Sequence, residues 1–286
     1  MFRFFSSLKF IATFSKTNKQ IIYINSNNLI QNLKNSIYDI DYREGMIYMP
    51  DYRNNKIIII EKNNLAVKTI NTHAPHGIEV DNKGNIYVTD ILENRIRKFN
   101  KEGKEIIDWD KKIHQLIASR RPYSVDAGNE ENVYIALDDL IIKVSENGQL
   151  IKKFNFSELS YNKIYPHGIL LYKNKIYVAD RKNNKLLVFN TDGNYLNEFT
   201  SNIKSDFDPL SINIYKDSYF LVPNYKNSSL HIFDMSGKEI KIVGGKGTEY
   251  GKWMILTNVV DDGEGNIYTV EEYSNRLQVI NFSLFL

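Results

Sequence analysis

One phrase recurs six times along the chain, and no other feature narrows its folding options as much. The second copy reads Ala74-Pro75-His76-Gly77-Ile78-Glu79-Val80-Asp81-Asn82-Lys83-Gly84-Asn85-Ile86-Tyr87-Val88-Thr89-Asp90, then Asn94-Arg95-Ile96 and a turn at Gly103. Its parts are a Pro-led lead-in, a short apolar strand, an Asp/Gly turn, a strand ending in an acid, an Asn-Arg corner and a third strand. The aromatic of the second strand serves as a ruler: Tyr48, Tyr87, Tyr134, Tyr177, Phe220 and Tyr268 are spaced by 39, 47, 43, 43 and 48 residues. Six β-rich units of this length specify a propeller, because one twisted antiparallel sheet cannot bury both faces alone and neighbours must stack radially around an axis.

The expected fold is therefore all-β, a six-bladed β-propeller with four-stranded antiparallel blades, forming a single domain over residues 1–286. Blades are expected at about 36–70, 75–115, 122–155, 166–200, 209–243 and 256–286. Copy six ends after its third strand, while residues 1–35 carry two unassigned strand-like runs, Leu8 to Phe14 and Ile21 to Ile24. An N-terminal strand is expected to supply the missing outer edge and close the ring, since an open sheet edge invites unwanted pairing.

Composition sets outer limits on the chemistry. With no cysteine there is no disulfide framework, thiolate metal site or cysteine nucleophile. No run of eighteen apolar residues exists, so a transmembrane helix is excluded and the protein is expected to be soluble. The compartment stays open. Met1 to Ser15 is basic and free of acid, which reads either as a targeting-like segment or as an ordinary strand of the fold. The formal net charge of +3 is concentrated in five early cations, Arg3, Lys9, Lys16, Lys19 and Lys34, and the rest of the chain carries −2. That balance argues against nucleic acid as a partner. No nucleophile elbow, phosphate-cradling loop or EF-hand pattern is present.

The wording of the repeat resembles the NHL family, whose Asp-x-x-Gly-Asn-Ile-Tyr-Val-x-Asp phrase followed by Asn-Arg is seen at Asp81 to Asp90 with Asn94-Arg95. It recurs at Asp262 to Glu271 with Asn275-Arg276. The resemblance covers about residues 36–282 and implies a propeller, but one scaffold hosts unrelated tasks. Within it, Pro75-His76-Gly77, Pro166-His167-Gly168 and Val178-Ala179-Asp180-Arg181 are similar to segments of the peptidyl-α-hydroxyglycine α-amidating lyases. That likeness implies a divalent metal such as zinc on His76 and His167, and Arg181 as a catalytic or substrate-binding cation. The chain departs from the pattern where a third His would stand: it has Thr257 there, with Asn258 beside it, and Ala136-Leu137-Asp138-Asp139 replaces the segment that bears the family's Tyr. Two imidazoles with Thr257 or Asn258 as a weak third ligand make a poor zinc site.

The residue after each lead-in, where the chain comes nearest the axis, reads Ser36, His76, Tyr123, His167, Leu210 and Thr257. The acids that end the second strands, Asp51, Asp90, Asp180 and Glu271, are expected to fix corners by accepting backbone hydrogen bonds. The corner cations Arg95, Lys185 and Arg276 are expected in solvent, and His73 on a surface loop. Two functional classes follow. In the first, the propeller binds a peptide, glycan or protein partner at the channel mouth through Arg121, Tyr123 and Arg181, as a monomer and without catalysis. In the alternative, it is a metal-dependent lyase or hydrolase of amidating-lyase type.

Overall fold

The computed structural model describes residues 8–14, 20–26, 37–127, 132–154, 156, 159, 163–273 and 276–286. Six antiparallel sheets are arranged as the blades of a propeller, each built in chain order from an inner strand outward. The inner strands are Asp41–Arg43, Pro75–Val80, Pro122–Asp126, Pro166–Tyr172, Asn213–Tyr215 and Leu256–Asp261. Second and third strands read as continuous apolar runs, such as Ile57 to Ile60 and Ile86–Asp90, because both of their faces are covered by neighbouring blades. Outermost strands are open to solvent, and Leu150–Lys153 is exposed at every position.

Hydrophobic clusters fill the space between every adjacent pair of blades, including the pair that joins the last to the first. There Ile37, Met49, Ile58 and Ile60 of blade one pack with Val260, Tyr268, Val270 and Leu277 of blade six. Equivalent clusters lie between blades one and two, two and three, three and four, four and five, and five and six. The ring is thus continuous in its packing. Outside the clusters, the repeated phrase is a device for turns. Asp81 Oδ1 accepts the Lys83 and Asn85 amides while Asn85 Nδ2 donates to Asp81 Oδ2, and Gly84 takes the left-handed φ of +81° between them. Asp262, Gly265 and Asn266 repeat the arrangement in blade six.

Two blades depart from four strands. Blade two has three, and where its outer strand was expected the chain forms helix α1, Ile107–Ile117. Trp109, Ile113 and Ile117 recur at helical spacing and are buried against Val125, Val133 and Leu137 of blade three, and that period forbids a strand with one buried face. Asp108 and Asp110 sit in its first turn, where the helix dipole favours acid. Blade six has three strands of its own, and Gln20–Ser26 runs antiparallel to the last of them, Gln20 opposite Val279 and Tyr23 opposite Arg276. Leu8–Phe14 pairs outside that strand, making the sixth sheet five-stranded. That these strands latch the ring is a statement about stability, which a deletion can test. No described helix is long and apolar enough to cross a membrane.

The corners correct one expectation. Strand-end acids do fix turns: Asp51 accepts from Asn54, Asp90 from the amides of Leu92 and Glu93, and Asp180 from the amides of Tyr165 and Lys182. The corner cations, however, are paired and not free in solvent, Lys185 with Glu198 of its own blade. Arg95 is paired with the buried Asp110 of α1, and Arg276 is itself buried, bonded to Glu271 and to the carbonyls of Thr248 and Lys252. The Gly-rich connector before blade six and the helix after blade two bring partners that the repeat alone does not reveal.

Candidate functional site

Register defines which side chains face the axis. Pro75, Pro122 and Pro166 lie opposite Asp90, Leu137 and Asp180 on their second strands, Pro209 opposite Asn224, and Leu256 opposite Glu271. In blade one, Ile37 lies opposite Asp51, so the equivalent of His76 is Tyr38. Ser36, read from the sequence as that position, lies outside the described residues. Immediately after the lead-in, blades two, three, four and six each carry a register shift, between Pro75 and Ile78, Pro122 and Ser124, Pro166 and Gly168, and Leu256 and Asn258. A bulge re-aims a side chain and ends regular pairing, and here it frees one residue per blade from the period-two alternation. Tyr38, His76, Tyr123, His167, Leu210 and Thr257 all line one axial cavity of about 910 Å³.

Four of these six are aromatic and they form a connected tier. His76 stacks on Tyr38 with centroids 4.9 Å apart and planes 17° from parallel, and His167 stacks on Tyr123 at 5.0 Å. The two imidazoles meet edge to face at 6.2 Å, and Tyr165 closes edge-on against Tyr123 at 5.1 Å. Glycine after each histidine is what lets the blades approach. A Cβ at Gly77 would stand 2.8 Å from the Tyr123 carbonyl oxygen, and one at Gly168 would stand 2.5 Å from Ser211 Cα. Removal from water keeps both imidazoles neutral. Burial lowers His76 to about 4, and burial, assisted by the Arg181 charge, lowers His167 to about 3. The tautomer of His167 is fixed, because its Nδ1 lies 2.9 Å from the Leu210 carbonyl, an acceptor only, so Nε2 carries the lone pair. Among the described residues His76 Nδ1 is buried with no hydrogen-bond partner, leaving Nε2 as the ring nitrogen a ligand can reach.

The remaining sequence candidates are placed differently. Thr257 donates its hydroxyl back to the Val270 carbonyl within its own sheet. Asn258 accepts from Ser211 Oγ and Asn213 Nδ2 of blade five and donates to Asp39 of blade one. Both are therefore engaged in the ring wall. Arg181 lies outside the channel lining, in a shallow recess with Tyr165 and Lys226, where Asp208 holds it through two bonds of 2.7 Å and the Tyr225 ring lies beneath it at 4.8 Å. Arg121 is on the open surface and bonds the Tyr123 hydroxyl, which raises its pKa.

Sequence reasoning missed the carboxylates of the inner strands. Asp39, Asp41, Glu79 and Asp126 line the same cavity on the side of blades one to three. Asp39 accepts the Ile78 and Ile40 amides, Asp41 the Val80 and Tyr42 amides, and Asp126 the Leu171 amide of blade four. These bonds tie each inner strand to the free edge of the next, blade to blade. Burial raises Asp39 to about 7 against the pull of those donors, and burial also raises Asp41. Glu79 differs: among the described residues it accepts no hydrogen bond, and burial, followed by the charges of Asp41 and Asp126, raises it well above the carboxylate range. The signal available in the sequence was the alternation Asp39-x-Asp41, which reads as an ordinary solvent face until the channel is known.

Away from the axis, His73 is exposed, as expected, yet its Nδ1 lies 2.7 Å from Asp90, with Glu93 at 3.8 Å. Those carboxylates are already shared with Arg97, 3.5 Å from Asp90 and 2.7 Å from Glu93, and a guanidinium in that place competes with any cation. His231 is wholly buried between Glu239 at 2.6 Å and Asn224 at 3.1 Å.

No protein-family model matches the chain. Among solved structures it is similar to virginiamycin B lyase from Staphylococcus aureus, at 15% identity over 96% of this chain and 95% of that one, with a TM-score of 0.65. A catalytically inactive histidine-to-alanine variant of the S. aureus enzyme, solved with quinupristin, matches at 16% identity over 96% and 94%, with a TM-score of 0.63. A protein of unknown function from Bacteroides thetaiotaomicron matches at 13% identity over 89% of this chain and 71% of that one, with a TM-score of 0.67. At these identities the likeness shows the fold alone.

Proposed function

We propose that the aromatic tier of the channel is the ligand-binding site of a propeller that holds a peptide, a glycan or a comparably sized organic molecule. One observation carries this reading: bulges in successive blades turn His76, Tyr123 and His167, with Tyr38 beside them, onto a single cavity of about 910 Å³. Concave sites of this volume lined by aromatic groups with a few oriented polar atoms are where small ligands are buried. Stacked rings supply contact area at low entropic cost, and the fixed Nε2 lone pair of His167 gives a direction to the hydrogen bond it accepts. Tyr123→Ala and His167→Ala should each weaken any ligand found by thermal-shift screening by tenfold or more, about 1.4 kcal/mol. The surface variant Arg120→Ala should not, since Arg120 pairs with exposed Asp139. Ligands whose affinity ignores both channel substitutions would place the site elsewhere.

A second reading is supported by the imidazole pair. Neutral histidines facing one cavity can take a proton from a bound substrate or hold a divalent ion, and the lyase of similar fold loses activity when a histidine is replaced. As a metal site the residues fit only in part. His76 and His167 offer two nitrogen donors of the kind zinc prefers, but Thr257 and Asn258 are bonded elsewhere, so a third protein ligand is lacking. Such an ion would polarise a bound carbonyl or activate a water molecule; the chain's own contribution is to orient the imidazoles by the Leu210 carbonyl and the Tyr38 and Tyr123 stacks.

A further inference from the structure

We propose that the ligand of this channel carries an alkylammonium group, and that Glu79 is the residue that meets it. The inference rests on the reading of the channel as the binding site and adds the chemical class. Asp39, Asp41 and Asp126 already serve the ring, each accepting an amide hydrogen bond from the neighbouring inner strand. Glu79 lines the same cavity and, among the described residues, accepts none. It is faced by Asp39 and Asp41 from blade one and by Asp126 from blade three, with the Tyr87 phenol beside it and the Arg43 cation acting against them. Arg43 is itself held, donating to Asn82 Oδ1 at 2.7 Å and to the Val80 carbonyl at 3.0 Å. A carboxyl with no donor among the described residues, crowded by three other carboxyls and so held protonated, is the state that an arriving cation relieves.

Most of the rest of the cavity agrees in sign; the further cation among its lining residues, Lys173, is exposed and lies over the Tyr172 ring at 4.8 Å. Ring faces of tyrosine attract cations, and the two imidazoles beside them are neutral and so do not repel one. Arg181, the cation that would otherwise draw an anion, is paired with Asp208 and lines a separate recess, though its charge still reaches His167. Beside the acids, Leu170 and Leu171 of blade four also line the cavity and offer apolar contact to an alkyl chain. Concave walls of low dielectric concentrate the field of the acids along the axis.

Proton linkage gives the test a signature that a passive lining would not show. Glu79, Asp39 and Asp41 all hold their protons above the ordinary carboxylate range, whereas an alkylammonium, with a pKa of about 10, stays charged throughout. Binding should therefore expel protons and tighten as pH rises from 6 to 8. The experiment is isothermal titration of the intact protein with 1,8-diaminooctane, 1,8-octanediol and octanedioate, in Tris and in phosphate, which differ in ionisation heat. The expected result is that only the diamine binds, that the buffers report proton release, and that Glu79→Gln lowers affinity at least tenfold and abolishes the release. Binding of the diol or the diacid in preference to the diamine, or a diamine affinity unchanged in Glu79→Gln, overturns the inference. If that preferred neutral or anionic probe is lost in Tyr123→Ala, the channel reading survives without the cation. If none of the three probes binds, the ammonium class is wrong, and the channel reading is decided separately by the screened ligands and their response to Tyr123→Ala.

Discussion

Two tiers of side chains project from the same inner strands into the same channel, and they are built by opposite rules. In the carboxylate tier, Asp39, Asp41, Asp126 and the amide of Asn258 are consumed by hydrogen bonds to neighbouring blades. In the aromatic tier, the rings of Tyr38, His76, Tyr123 and His167 touch mainly one another, and His76 keeps a buried nitrogen without a partner. Native interiors satisfy almost all their buried polar groups, so an unsatisfied one among engaged neighbours marks a surface meant to meet something else. The difference separates the residues that hold the ring from those free to bind, and Glu79, a carboxylate that accepts no hydrogen bond among the described residues, belongs with the latter.

The largest way to break this contrast is at the seam between blades six and one. If the N-terminal strands Leu8–Phe14 and Gln20–Ser26 latch the ring, deleting residues 1–26 should abolish cooperative thermal unfolding and expose the edge of Arg276–Asn281. A deletion that stays monomeric and melts at the parent temperature would leave the seam to the packing of Met49, Ile58, Val270 and Leu277 and to the Asn258–Asp39 bond. Next in size is that bond itself. Asn258→Leu leaves Asp39, Ser211 and Asn213 short of partners and should cost about 3 kcal/mol by denaturant titration. Tyr123→Ala, from the other tier, should cost distinctly less while removing ligand affinity. Equal losses of stability would erase the distinction between the tiers.

A smaller effect is expected from pH, and its sign differs between the tiers. Asp39 is raised in the folded protein to about 7, so the fold binds more protons than the unfolded chain, and stability present at low pH is lost as pH rises through 7. Asp41 and Glu79 act in the same direction. His76 and His167 are depressed, so their contribution is present above about 6.5 and lost as pH falls toward 4 and 3. Below 6.5 the two tiers oppose each other; above it only the acids titrate. Melting temperature should decline between pH 6.5 and 8, and Asp39→Asn should flatten that decline. Smallest of all is metal. Zinc titration by calorimetry should show weak binding that His76→Ala removes and Thr257→His strengthens at least tenfold, about 1.4 kcal/mol. Negligible heats in all three proteins would assign both imidazoles to organic ligands alone.

Much of this was legible in the chain, and what was not has a common cause. The repeat spacing specified six blades, and Asp81-x-x-Gly84-Asn85 specified its turn, because both are local and periodic. His76, Tyr123 and His167 were found because a proline marks each lead-in, whereas blade one has Ile37 in that place and so Tyr38 was misassigned to Ser36. Asp39, Asp41 and Glu79 escaped notice because a strand facing an internal channel has the same alternation as one facing bulk water. Arg276 looked like a solvent-exposed corner cation, and its burial depends on carbonyls twenty-odd residues away. Long-range contacts of this kind leave no mark on spacing.

The helix that stands where blade two would have its fourth strand also bears on the order in which the ring assembles. Segment Ile107–Ile117 lies immediately beyond Arg95–Phe99 in the chain and covers it using Trp109, Ile113 and Ile117, contacts that close only a short loop. Asn258, by contrast, must find Asp39 across 219 residues. Loop-closure entropy and contact order favour the first event over the second, so blades two and three are expected to nucleate and the seam to form last. On that ordering, Ile113→Ala should chiefly slow refolding, while Asn258→Leu should chiefly hasten unfolding, a pair of opposite kinetic responses that stopped-flow fluorescence of Trp109 and Trp253 can resolve.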